Sequence, residues 1–136
     1  MIRPAKATEE PALVRLQSHL PEPSPALLAS ALGDGRTTPA TALVSTADGA
    51  PVGYLLAVPG DDTTYVAELV VAPDHRREGR ARALLAACWA ETASLTVTVA
   101  PDNEAAQSLY RDCGFERVER MPEFFEEGAA VLYRRD

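Results

Sequence analysis

Apolar and polar positions follow two periods along the chain, and the switches between them outline its elements. Leu13, Leu16 and Leu20 recur three or four residues apart, the spacing of one helical face. Thr8 stands ahead of them as an N-cap, with Glu9 and Glu10 in the first turn and Pro11 tolerated there. Pro21, Pro23 and Pro25 break that helix near residue 20. Ser24 is placed to cap a second, short helix carrying Leu27, Leu28 and Leu32, which Gly33-Asp34-Gly35 ends. β-rich runs follow at 41–45, 52–58 and 64–71. Asp48-Gly49 is a strong hairpin signal between the first two, and Pro59-Gly60-Asp61-Asp62 makes a turn before the third.

The helical period returns after residue 79. Ala81, Leu84, Leu85 and Cys88 share one face of a helix over 79–91. Residues 95–99 read as a strand suited to the middle of a sheet. Asp102 or Asn103 caps a further helix to residue 113, with Ala106, Leu109, Tyr110 and Cys113 on its inner face, and Gly114 ends it in a left-handed cap. Strands at 115–119 and 129–134 close the chain, joined by an acidic loop through Pro122 and Gly128. With a short strand at 2–5, the pattern predicts an α/β (α+β) fold, antiparallel in its first half and with a central β-α-β crossover.

Composition narrows the classes. The 136 residues suit a single domain over 1–136, and 46% hydrophobic residues are enough for a core. A net charge of −7 disfavours nucleic-acid binding, which draws its affinity from neutralising phosphates, and suits a cationic partner such as an amine better. No apolar run approaches membrane-spanning length. Cys88 and Cys113 form no CxxC and fall on apolar helix faces, the pattern of reduced thiols. The first residues hold no apolar signal-peptide core, so the expectation is a cytoplasmic protein without a membrane partner. His19 and His75 lack metal-ligand spacing, and no metal is expected.

One stretch departs from the acidic balance. Four of the thirteen basic residues (Arg76, Arg77, Arg80 and Arg82) fall in the turn after the strand at 64–71 and in the first turn of the helix that follows. The free N–H groups and positive dipole end of a helix start make a natural anion site. A solvated basic helix start is the plain alternative.

Two motifs make the pattern specific. Arg76-x-x-Gly79-x-Ala81, preceded by Val71-x-Pro73, is followed by Asn103-x-x-Ala106-x-x-Leu109-Tyr110-x-x-x-Gly114-Phe115. In this order and spacing they resemble the GNAT superfamily of acyl-CoA-dependent N-acyltransferases. The likeness extends to the opening Ile2-Arg3-Pro4-Ala5 and the strand order. It implies a mixed, mostly antiparallel sheet of about seven strands flanked by about four helices. It also implies acetyl-CoA as cosubstrate and a primary amine, on a small molecule or a protein, as acceptor. Relatives are often dimers, so a homodimer stays open.

The resemblance also distributes roles. Arg76, Arg77, Glu78, Gly79, Arg80 and Ala81 would hold the coenzyme A pyrophosphate, where Gly79 permits close approach. Arg82 reads as an exposed helix residue. Backbone groups of Leu69, Val70 and Val71 would pair with the acyl-pantetheine arm and polarise the thioester carbonyl. Asn103 would cap its helix and touch that arm. Glu68, the one acid in an apolar strand, is the candidate for deprotonating the amine, with a hydrogen bond to a neighbouring element as the alternative. Tyr110 would protonate the leaving thiolate, or serve only as a core tyrosine. The strand Val97-Thr98-Val99 lacks the acid that some N-terminal acetyltransferases carry there. The acidic, aromatic loop with Glu123, Phe124, Phe125, Glu126 and Glu127 would border the acceptor site.

Overall fold

A computed structural model describes residues 1–20, 23–33, 40–90, 92–125 and 128–136, with backbone alone at 122–125 and 128. A seven-stranded sheet runs in the order β1-β2-β3-β4-β5-β7-β6. Its strands are β1 (Ile2–Pro4), β2 (Thr41–Ala47), β3 (Ala50–Pro59), β4 (Thr64–Val71), β5 (Leu95–Val99), β6 (Glu116–Phe125) and β7 (Gly128–Arg135). All neighbours are antiparallel except β4 and β5, whose parallel pairing needs the crossover helix α3 (Arg80–Trp89). Helices α1 (Glu10–Gln17) and α2 (Pro25–Leu32) precede β2, and α4 (Glu104–Asp112) joins β5 to β6.

The two faces of the sheet carry separate cores. Leu13, Leu16, Leu28 and Leu32 from α1 and α2 pack on Val44, Tyr54, Leu56 and Val70. Leu84, Leu85 and Cys88 of α3, with Tyr110 of α4, pack on Leu55, Val97, Val131 and Tyr133. β3 is therefore buried on both faces from Tyr54 to Ala57, which explains its near-continuous apolar run.

The hairpin at Asp48-Gly49 is tight, with φ of 52° and 83° at its two central residues, the handedness that matches strand twist. Gly114 takes the expected left-handed conformation at 90°. Three expectations change. A 3₁₀ turn at Ala7–Glu9 replaces the Thr8 cap, held by Glu9, which accepts from the Lys6 N–H at 2.9 Å and pairs with Arg3. Ser24 sits at the start of α2, yet its side chain makes no cap bond. The segment after residue 119 continues as strand to Phe125 instead of looping, because β7 supplies a partner as far as Gly128. The stop at Asp34-Gly35, the break at Pro21, the helix end at Glu91 and the acidic Glu126-Glu127 lie outside the described residues.

β4 carries the irregularity that shapes the site. It is in register with β3 at Leu56↔Glu68 and again at Ala57↔Val66, so Ala67 is an extra residue in β4. Such a bulge bends its strand and turns the residues beyond it to a different face. Val66 accordingly packs in the α3/α4 core, while Glu68 reaches partners on the α1/α2 side. Pairing of β4 with β5 is registered only from Thr64↔Leu95 to Val66↔Val97. Beyond Val66 the two strands part, and a gap opens inside the sheet.

Candidate active site

Strand register decides which backbone groups face that gap. The Ala72 N–H donates to the Val52 carbonyl at 2.8 Å, and Tyr54 pairs with Val70. Alternation along an antiparallel strand then turns Val70 toward β3, and Leu69 and Val71 toward the open side. Of the three strand residues named from the sequence, two present backbone groups to the gap and Val70 does not. The Val71 carbonyl is engaged by Arg76 Nε at 3.2 Å, which ties the basic turn to the strand.

The turn from Pro73 to Gly79 is built to gather N–H groups. Arg77 and Gly79 both adopt left-handed conformations, with φ of 63° and 76°. Left-handed residues of this kind belong to the conformations from which anion-binding nests of backbone amides are built. For Arg77, which carries a Cβ, this conformation is strained, and strain of that kind concentrates at functional sites. A Cβ placed on Gly79 would meet no atom within 4 Å, so the space before it is open. α3 begins directly after it.

The four arginines divide by their contacts. Arg80 donates to Ser45 Oγ at 3.0 Å, to the Thr46 carbonyl at 3.1 Å and to Glu78 at 2.8 Å. It anchors the turn to β2, and Glu78, within 3.5 Å of His75, completes that local network. The Glu78 carboxyl is held below the usual carboxylate range, chiefly by the hydrogen bond from Arg80. Arg82 forms an exposed bridge to Asp112 of α4 at 3.1 Å. Among the described residues, Arg77 has no hydrogen-bonded or ionic partner.

Two concavities meet at the gap. One, of about 440 Å³, is walled by the basic turn, including Arg76, Arg77, Gly79 and Ala81, and by Leu69 and Val71. The other, of about 570 Å³, is walled by Tyr65, Glu68, Thr98, Arg120 and Ala129. Leu20, Leu69, Asn103, Ala106 and Tyr110 line both, so the two halves form one cleft that meets at these residues. His19 and His75, far apart in sequence, both border the basic half. Nothing in residue spacing indicates that meeting, because it depends on α1 folding back over the sheet.

Tyr110 is buried against Phe115 and Tyr133, with ring centroids 5.6 and 6.1 Å away. Its hydroxyl has no hydrogen-bond partner among the described residues. Burial pushes its phenol above the ordinary tyrosine range, with smaller contributions from Tyr65 and Cys113. It is thus a protonated donor facing the cleft. Asn103 caps α4, its Oδ1 accepting from the Ala106 N–H at 3.1 Å. Tyr65 and Thr98 share a 2.6 Å hydrogen bond on the wall of the larger half.

Glu68 takes the hydrogen-bonded arrangement named as the alternative to a free base. Its Oε1 accepts from Tyr54 at 2.7 Å and from Gln17 at 3.0 Å, and its Oε2 accepts from the Ser24 N–H at 2.7 Å. The carboxylate lines the cleft but is held by three donors. The physical cause is the Ala67 bulge, which aims it at α1 and the start of α2 instead of across the gap.

The acetyltransferase (GNAT) family matches residues 8–115. The chain is 46% identical over 77 residues to a mycothiol acetyltransferase of Parafrankia sp. (strain EAN1pec), covering 55% of this chain and 24% of that protein. A mycothiol acetyltransferase of Clavibacter michiganensis subsp. michiganensis (strain NCPPB 382) is 39% identical over 85 residues, 61% of this chain and 28% of that protein. The chain thus matches about a quarter of the length of these curated relatives. Among solved structures, a GNAT family acetyltransferase from Elizabethkingia anophelis with acetyl-CoA bound superposes with a TM-score of 0.84 at 17% identity, covering 100% and 97% of the two chains. The ribosomal-protein-alanine N-acetyltransferase of Brucella melitensis gives 0.77 at 22% identity, covering 99% and 98%. Fold, paired motifs and family match agree: the chain belongs to the GNAT family of acetyltransferases.

Proposed function

We propose that this chain transfers an acetyl group from acetyl-CoA to a primary amine by direct attack within a ternary complex. The observation that carries the reading is the single cleft, with the basic turn at one end and, where its two halves meet, the Tyr110 hydroxyl, which has no partner among the described residues. The open space before Gly79 and the left-handed backbone at Arg77 suit a pyrophosphate. Arg76 and Arg77 add charge, while Glu78 and Arg80 hold the turn in shape. Leu69 and Val71 offer strand backbone to an extended pantetheine arm, and the Leu69 amide is placed to stabilise an oxyanion. Ala81 and Asn103 complete the wall of that half.

The remaining steps concern protons. The amine is deprotonated by water, because the Glu68 oxygens already accept three hydrogen bonds. The carboxylate still favours a cationic acceptor electrostatically in the larger half of the cleft. Tyr110, kept protonated by burial, donates to the departing sulfur. The names of the curated relatives place a mycothiol-type amine in the acceptor panel.

Amine-dependent release of free thiol from acetyl-CoA is the test, measured over a panel of small amines and peptides. Binding of acetyl-CoA with no amine-dependent thiol release would establish the second reading, an acyl-CoA-binding module. The occupied Glu68 carboxylate is the observation that favours that alternative.

A further inference from the structure

The acceptor half of the cleft contains an ionic group that the mechanism above does not use. Arg120 lies on β6 opposite Val131 of β7 and lines the larger concavity together with Ala129, Thr98 and Tyr110. It is exposed, and among the described residues it has neither a hydrogen-bond nor an ion-pair partner. Its neighbour Glu119 pairs with Leu132 and, by strand alternation, faces the other side of the sheet. The other ionic groups on this wall are Glu68, whose oxygens are occupied, and Asp102 on the turn before α4. Among the described residues Arg120 is the one guanidinium of this half, and Tyr110 lines both this half and the one with the basic turn. Arg76 and Arg77 line the other end of the cleft, so this cation is free to meet a second anion.

We propose that Arg120 is a specificity residue that receives an oxyanion of the acceptor, a carboxylate or a phosphate, while the amine is held near Tyr110. A guanidinium binds either group through two parallel N–H bonds, which fixes orientation as well as position. The acceptor class is then an amine with an oxyanion at its far end. This rests on the acetyl-transfer reading for its chemistry, but the site can be measured without turnover.

The test uses matched acceptors. Glycyl-glycine is compared with glycyl-glycinamide, whose amino groups have similar basicity, and 3-aminopropyl phosphate with 3-aminopropanol. The native chain should show a KM about ten-fold lower for the charged member of at least one pair. Which pair shows it identifies carboxylate or phosphate. Arg120→Gln should erase the preference while leaving kcat, acetyl-CoA affinity and the melting temperature unchanged, and Arg120→Lys should restore part of it. A preference that survives Arg120→Gln, or its absence from both pairs in the native chain, overturns the proposal. If no amine is acetylated, the acetyl-transfer reading falls. NMR titration of the same pairs against the CoA-loaded protein then decides the site alone, and equal binding of charged and neutral members rejects it.

Discussion

Tyr54 donates to Glu68 across neighbouring strands at 2.7 Å, with both side chains buried. The two are not register partners, since Tyr54 faces Val70 and Glu68 faces Leu56. They meet on the diagonal, a distance an aromatic side chain can span. Gln17 and Ser24 bring α1 and the start of α2 to the same carboxylate, so one charge links three elements. Tyr54→Phe removes one bond to an ionised, buried group and should cost about 1.5–3 kcal/mol in denaturant unfolding. Glu68→Gln should cost more, because one of the two accepting oxygens becomes an NH2 group that faces a donor and cannot accept from it. A Glu68→Gln protein as stable as the native one, but with collapsed turnover, would instead make Glu68 the base.

Tyr110→Phe separates chemistry from packing. The hydroxyl has no protein partner among the described residues, so unfolding stability should change by less than about 1 kcal/mol. Turnover should fall about 100-fold, the lower range for general acid catalysis, with acetyl-CoA affinity retained. Stopped-flow thiol release and calorimetry together give both numbers, and unchanged turnover removes the acid role.

Gly79→Ala probes the space before α3. A Cβ there meets no protein atom within 4 Å, so only the φ of 76° penalises it, by about 1–3 kcal/mol of stability. Loss of acetyl-CoA affinity should exceed what that destabilisation explains, because the methyl group enters the space assigned to the pyrophosphate. Equal affinity in the folded variant would place the phosphates elsewhere.

The amino-terminal strand has its own pH dependence. Arg3 pairs with Glu9 through contacts of 2.9 and 2.6 Å, and this bond holds the Glu9 carboxyl at about 2, below its ordinary 4.5. A lowered folded-state value means the pair's contribution is complete above about pH 4.5 and is lost as pH falls toward 2. Glu9→Gln should therefore differ from the native chain at neutral pH and converge with it across that interval in acid melts. A constant difference down to pH 2 would show that the pair is not the cause.

Much of this molecule could be read from residue order. Period and turn residues located the seven strands and four α-helices of the described chain, though not the 3₁₀ turns at Ala7–Glu9 and Pro73–His75. The paired motifs around Gly79 and Tyr110 prove to line one cleft, the first at its basic end and the second where its two halves meet. Three features were not legible, each for a long-range reason. The Ala67 bulge depends on how β4 settles against β3, and with it the direction of Glu68. Arg80 looked like its neighbours in the basic turn, yet its partners Ser45 and Thr46 lie about thirty-five positions away on β2. β6 outlasts the expected loop because strand pairing with β7 overrides the proline and the run of acids.

The parting of β4 and β5 has a consequence for how this scaffold can diversify. A ligand held by strand backbone is indifferent to which side chains flank it, so substitutions at Leu69 or Val71 leave those contacts in place. Loss of the N–H itself, as in Leu69→Pro, would remove that residue's donor. On the proposals made above, donor recognition would be written largely in main chain, and acceptor recognition in side chains such as Arg120. The second can drift without erasing the first. On the proposed function, a ligand seated in the gap would supply hydrogen bonds that β4 and β5 do not give each other beyond Val66.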